Sequence, residues 1–248
     1  MKSYCPLALM LALSLLVCHA LTSSPARFAA QASGAESAHA ETSRANLLTH
    51  DEERSLGNRL AYLYAQQHPT STNTAQQARL KRVALRLNEA TGAGELEINI
   101  IKSTRPEAVS FPAGHVFITN ALLELARTDD ELAAAIAHEA AHVHLRHLAR
   151  LIELTLRLPA CEREYFPTRA AITRGIALHI DFPPALDAER LRYEMEADHL
   201  ATVWLKRAGY QESALYILLV KMQSLPSSRL QPEDSALRER ADRLQSSR

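Results

Sequence analysis

The sequence predicts a mainly helical α+β protein with a small sheet. Helix formers, above all Ala and Leu, dominate it, and with 7 Gly and an aromatic share of 5% there is little material for a large sheet. Two stretches alone, near Leu96–Ile100 and His115–Thr119, carry strand patterning. The 248 residues suffice for one well-buried domain. Lys plus Arg and Asp plus Glu balance at 28 each, so no net field draws the chain to nucleic acid or to an anionic membrane surface.

The first residues read as an export signal. Lys2 supplies a positive start, Leu7 to Val17 form a short apolar run, and Cys18-His19-Ala20 ends in a small residue suited to cleavage. A signal peptide over residues 1–20, cut after Ala20, places the protein in the periplasm, since a retained anchor wants roughly 20 apolar residues. A lipoprotein attached to the envelope membrane through Cys18 is the alternative, although Val17 is bulkier than the residue that usually precedes a lipidated cysteine. Cys5 and Cys18 fall in this leader, so Cys161 has no partner for an intramolecular disulfide in the mature chain. Residues 21–48, rich in Ala, Ser, Thr and Glu without apolar periodicity, read as a flexible spacer ahead of one domain over residues 49–248.

Order is expected from near Asp51, where Leu56, Leu60, Leu63 and Tyr64 recur at helical spacing behind three acidic residues. A second helix begins at a capping box of Thr74 with Gln77, with Leu80, Val83, Ala84 and Leu87 on its apolar stripe and Gly92 at its end. After the two strands, a short helix over Asn120 to Arg127 leads to a box of Thr128 with Glu131, which opens a helix expected to run to about Leu158. Prolines at 159, 167, 183 and 184 interrupt the pattern up to the next helix. Asp187 is expected to cap that helix, which ends at Ala208 and Gly209; another around Leu215, Leu218, Leu219 and Met222 stops before Pro226. The charged tail after Pro232 is expected to form at most a short solvated helix.

His138-Glu139-Ala140-Ala141-His142 is an HExxH pattern inside a segment assigned to helix on other grounds. Residues four apart share a face, so two imidazoles can converge on one ion, while Glu139, rotated by about 100°, can reach a water beside it. Zinc suits this arrangement because its catalytic sites use three protein ligands and keep a fourth position open. Glu139 would then act as the base, taking the proton of the attacking water and passing it to the leaving amine. A bare motif can also be a solvated helix face. That alternative weakens because Ala133, Ala134, Ala135, Ala137, Ala140 and Ala141 make a slim helix able to pack closely.

Glu194 fits the third ligand. It lies on the Asp187 to Ala208 helix with Asp198 one turn later, placed to accept a hydrogen bond from a ligand imidazole, and with Ala197, Ala201 and Leu205 near the same stripe. The alternative is an ordinary surface pair of Glu194 with Arg190.

HEAAHVHLRHLAR at 138–150, EMEADHLA at 194–201, FPAGHVFITNALL before the helix and AGYQESAL after the third-ligand helix resemble the BepA and LoiP type of periplasmic zinc metallopeptidase, relatives of HtpX and mitochondrial Oma-type proteases. The resemblance covers most of residues 51–245. It implies a gluzincin-type metallopeptidase fold with one zinc held by His138, His142 and Glu194, Glu139 and Asp198 as catalytic residues, and quality control of envelope proteins by hydrolysis of misfolded or misassembled substrates. It also implies that the strand near His115–Ile118 is an edge that pairs with extended substrate. Two departures stand out: Ala113-Gly114 replaces the family's Gly-Gly, and Gln231-Pro232 replaces its His-Pro, so a histidine latch over the metal is not expected. A rival reading is a zinc-fold chaperone or scaffold that acts by binding envelope proteins. His144 and His147 are assigned no role toward zinc; Tyr193, His179 and Tyr216 are open candidates for stabilising an oxyanion. Cys161 reads as a plain buried thiol rather than a nucleophile.

Overall fold

In a computed structural model of the chain, which describes residues 48–92, 94–158, 182–226 and 236–246, the first helix opens on a reciprocal cap. Thr49 Oγ1 accepts the Glu52 N–H while the Glu52 carboxylate accepts the Thr49 N–H, starting α1 (His50–Gln67). The leader with Cys5 and Cys18, the spacer up to residue 47, Cys161, His179 and Gln231 lie outside the described residues. Leu48, at the end of the expected spacer, is buried against α1, and its N–H donates to Glu153. In α2 (Thr74–Thr91) the cap is Asn73, one residue before the expected Thr74, because its carboxamide oxygen accepts from Gln76 N–H; Gly92 ends the helix in the left-handed region.

The sheet has three strands, β1 (Glu97–Ile101), β2 (Ala108–Phe111) and β3 (His115–Thr119), in the order β1-β3-β2. β3 runs parallel to β1 and antiparallel to β2. This corrects the expectation that His115–Ile118 forms an edge. Val116 to Thr119 are buried in succession, as in a strand covered on both faces. The edges are β1, which the segment around Thr70 partly covers, and β2, four residues bounded by Pro106 and Pro112 and too short to show a period in sequence.

Between β2 and β3, Pro112–Gly114 makes a tight turn in which Ala113 has φ 67°. The turn packs on α1 at Gly57, where a β-carbon would overlap the Pro112 carbonyl. Because Ala113 is exposed and held in the left-handed region, Ala113→Gly is expected to stabilise the protein by about 1 kcal/mol in urea unfolding, without changing its secondary structure.

After α3 (Asn120–Leu125) comes α4 (Asp129–His144), capped by Thr128 Oγ1 on the Glu131 N–H. The Glu131 carboxylate reaches Arg127 N–H, not Thr128 N–H, so the expected box closes one residue early. The helix expected to continue to Leu158 breaks instead at Arg146, a non-glycine residue with φ 58°, and resumes as α5 (His147–Arg157). Arg146 is clamped there by Glu53 of α1, with Nε and Nη2 each 2.7 Å from Oε2.

A short turn at Pro184–Leu186 precedes α6 (Asp187–Arg207). Leu186, not Asp187, sits at its N-cap; Asp187 lies inside the first turn, where its charge still faces the helix dipole. Gly209 comes just past its end with φ 68°. Next come α7 (Ala214–Gln223) and α8 (Leu237–Ser246). The expected solvated tail is thus a packed helix, with Leu237 and Ala241 buried in the main core.

α4 is the centre of this arrangement. From Leu132 to Ala141 every residue is buried, and its most extensive partner is α6. Ala140 and Ala141 meet Ala197 and Trp204 across that seam. With so little side-chain bulk between the helices, the polar residues interleaved on both can approach one another.

Candidate metal centre

His138 and His142 project one turn apart from α4, and Glu194 faces them from α6. One ligand atom from each of the three lies within 4.8 Å of the others. His138 Nε2 is 3.0 Å from His142 Nε2 and 3.3 Å from Glu194 Oε2, and His142 Nε2 is 3.5 Å from Glu194 Oε1. Donors about 2.0–2.1 Å from a tetrahedral zinc stand ~3.3–3.4 Å apart, so two imidazoles and a carboxylate at these separations fit the ion in both chemistry and spacing.

Asp198 Oδ1 lies 2.9 Å from His138 Nδ1. An ionised carboxylate only accepts, so His138 carries its proton on Nδ1 when neutral and turns the Nε2 lone pair toward the cleft. The Nδ1 atoms of His142 and His147 are 3.1 Å apart. Glu139 is buried beside His138. Burial raises its carboxyl above the ordinary value, with His138 and a hydrogen bond from Ser110 of β2 pulling the other way.

The residue that sequence reading missed is Arg240 on α8. Its guanidinium is nearly buried, with Nη1 2.7 Å from Glu194 Oε2, Nη2 2.7 Å from Asp198 Oδ1, Nε 2.8 Å from Asp198 Oδ2 and Nη2 3.3 Å from His138 Nε2. Glu194 therefore pairs with Arg240, while Arg190 turns to Asp187. No spacing signal links residue 240 to α4 or α6; Leu237 and Ala241 stand at helical spacing, but both Arg238 and Arg240 lie between them and nothing local selects Arg240. With His138 neutral, as a metal ligand must be, up to three carboxylate charges from Glu139, Glu194 and Asp198 face one guanidinium, an excess that a divalent cation would offset.

The other candidates are dispersed. Tyr193 stacks on His147, with ring centroids 4.5 Å apart and planes 4° from parallel. Tyr216 packs against the main core and does not line the cleft, and His144 meets Trp204 edge-on. The cleft itself encloses about 800 Å³ and joins the histidines to Ser110 and Phe111 of β2, Leu219 of α7 and Arg240 of α8.

Burial dominates the imidazoles unequally. It holds His142 down to about 4, against the pull of Glu194. It also holds His147 to about 4, aided by His142. For His138 burial and Arg240 act downward too, but hydrogen bonds to Asp198 and Glu194 outweigh them and lift it to about 9. In protein stripped of metal, the unfolded chain binds more protons than the folded one between pH 6.5 and 4 at His142 and His147. Stability should therefore fall as pH drops through that window, by about 3 kcal/mol from His142 alone. The His138 contribution is fully present below pH 6.5 and is lost only as pH rises through 9, and Glu139, its carboxyl raised by burial, works against the slope above 4.5. Urea unfolding in chelator at stepped pH measures this; a flat profile from 6.5 to 4 would contradict it.

The model for Peptidase family M48 matches residues 74–231. The mitochondrial metalloendopeptidase OMA1 of Schizosaccharomyces pombe is 29% identical over 161 residues, covering 63% of this chain and 45% of that protein. A putative beta-barrel assembly-enhancing protease of Vibrio cholerae is 32% identical over 132 residues, 47% of this chain and 26% of its own length. The beta-barrel assembly-enhancing protease of Yersinia pestis is 27% identical over 138 residues, 50% and 27% respectively. The chain thus spans under half the length of each of these relatives. A family match across well over half the sequence, on a mostly helical frame with a three-stranded sheet, assigns the chain to peptidase family M48, as a metallopeptidase.

Proposed function

We propose that the chain is a zinc metalloendopeptidase that cuts extended segments of misfolded or misassembled envelope proteins. The observation that carries this reading is the meeting of His138, His142 and Glu194 at tetrahedral spacing, in a cleft bordered by Glu139 and the edge strand β2. His138, His142 and Glu194 would hold the ion. Zinc, when bound, supplies Lewis acidity toward the scissile carbonyl and makes a water molecule more acidic.

The protein's own residues do the rest. Among the described residues β2 pairs only with β3, so its outer edge offers backbone N–H and C=O groups to an extended peptide lying antiparallel along it. That mode reads main chain first, which suits substrates chosen by being unfolded. Glu139 takes the proton of the attacking water on its carboxylate and delivers it to the leaving amide nitrogen, and its raised pKa moves it toward the range where both transfers are efficient. Asp198 holds His138 in the tautomer that presents Nε2.

The leader over residues 1–20 supports export to the periplasm, where the substrates would be met. Intact mass of the mature protein distinguishes cleavage after Ala20 from lipidation at Cys18. With Gln231 where the resemblance implies a His, the ligand set is expected to work without a histidine latch.

Purified mature protein is expected to contain about one zinc per chain and to degrade casein, to lose activity in chelator, and to recover it when zinc is restored. Protein that binds no metal with His138 and His142 intact would refute the reading.

A further inference from the structure

The sequence carries a histidine, His147, that the ligand set does not use, and the fold goes to some length to bring it back to the site. In an unbroken helix, residue 147 would stand about 140° around the axis from His142, facing away from it. The break at Arg146, held with φ 58° by Glu53, reverses that and sets His147 Nδ1 3.1 Å from His142 Nδ1. A left-handed non-glycine residue is unfavourable by about 1–2 kcal/mol, so the contact it creates is maintained by the surrounding structure.

The proton directions along this contact are fixed by its far end. His147 Nε2 is 3.2 Å from Glu196 Oε2. The Glu196 carboxylate, anchored by Arg192 at 3.0 Å and Arg150 at 3.4 Å, can only accept. Neutral His147 therefore donates from Nε2 and has a lone pair at Nδ1. That lone pair accepts from His142 Nδ1–H, which leaves the His142 Nε2 lone pair facing His138 and Glu194. The ring of His147 is locked in plane by its stack on Tyr193 and is only 1% exposed.

We infer that His147 is a positioning residue, which together with Glu196 fixes the tautomer and ring orientation of His142 as Asp198 does for His138. The inference rests on the reading of His142 as a metal ligand. Each histidine of the motif then has its own carboxylate: a direct one from α6 for His138, and one relayed through an imidazole for His142.

The test measures zinc affinity by competition with a chromogenic chelator, with the visible absorption of the cobalt-loaded protein as a second readout. Fold is checked by circular dichroism and thermal unfolding in chelator. His147→Leu, folded, is expected to bind zinc 10- to 100-fold more weakly and to alter the cobalt spectrum. His147→Asn, whose amide oxygen can accept from His142 Nδ1–H, is expected to stay within about threefold of wild type. Glu196→Leu, at a half-exposed position, is expected to weaken zinc severalfold. Wild-type affinity and spectrum in folded His147→Leu, or equal losses in the Leu and Asn variants, would overturn the inference. If His147→Leu does not fold, Glu196→Leu decides: a severalfold loss supports the role and unchanged affinity overturns it. Wild-type protein that fails to bind zinc at all would refute the ligand reading instead, so the two failures are distinguishable.

Discussion

Replacing Glu139 with Gln is expected to lower peptide hydrolysis by about 10²–10⁴-fold while leaving metal content and fold intact. The carboxamide keeps the size of the side chain and can still take a hydrogen bond from Ser110, but it cannot accept and return a proton. Glu139 is buried beside His138 on the helix that bears the motif. Initial rates on casein and zinc content on one preparation would check it. The same variant separates the peptidase from a chaperone of the same fold: full function in cells with zinc bound and hydrolysis gone would favour the chaperone.

Arg240→Leu is the second large effect. Removing the guanidinium leaves Glu194 and Asp198 facing each other in a buried site, and breaking a buried ion pair by deleting one partner typically destabilises by about 3–5 kcal/mol. The loss should be greatest in chelator and smaller with zinc present, since the ion restores part of the missing positive charge. Arg240→Lys should recover only part of it, because one ammonium cannot span two carboxylates as the planar fork does. Urea unfolding of the three proteins with and without zinc measures this; a change under 1 kcal/mol in chelator would show that Arg240 is dispensable.

The range of each interaction decided whether the sequence alone could reveal it. HExxH, the capped helix that bears it and the Glu194 to Asp198 spacing are local patterns, readable because helical periodicity converts spacing into facing. The Ala-rich stretch announced close packing for the same reason. Arg240 was invisible because its partners lie 42 and 46 positions earlier, on another element, and no periodicity reaches that far. The break at Arg146 was missed because neither Gly nor Pro marks it; the ion pair that holds it comes from Glu53, 93 residues away. β2 was missed because four residues carry no countable alternation, and with it went the identity of the sheet edge.

That edge has a consequence for how the protein avoids its own chemistry. An unpaired strand is a template on which a second copy can add, and sheets that grow this way end as aggregates. β2 offers four residues, ends at Pro112, which has no N–H to give, and is succeeded at once by the left-handed Ala113, which turns the chain away. Such a stub can hold a short extended peptide, but it is too small for stacked copies to propagate along it. The brevity that hid the strand from sequence reading is thus also a safeguard against self-association.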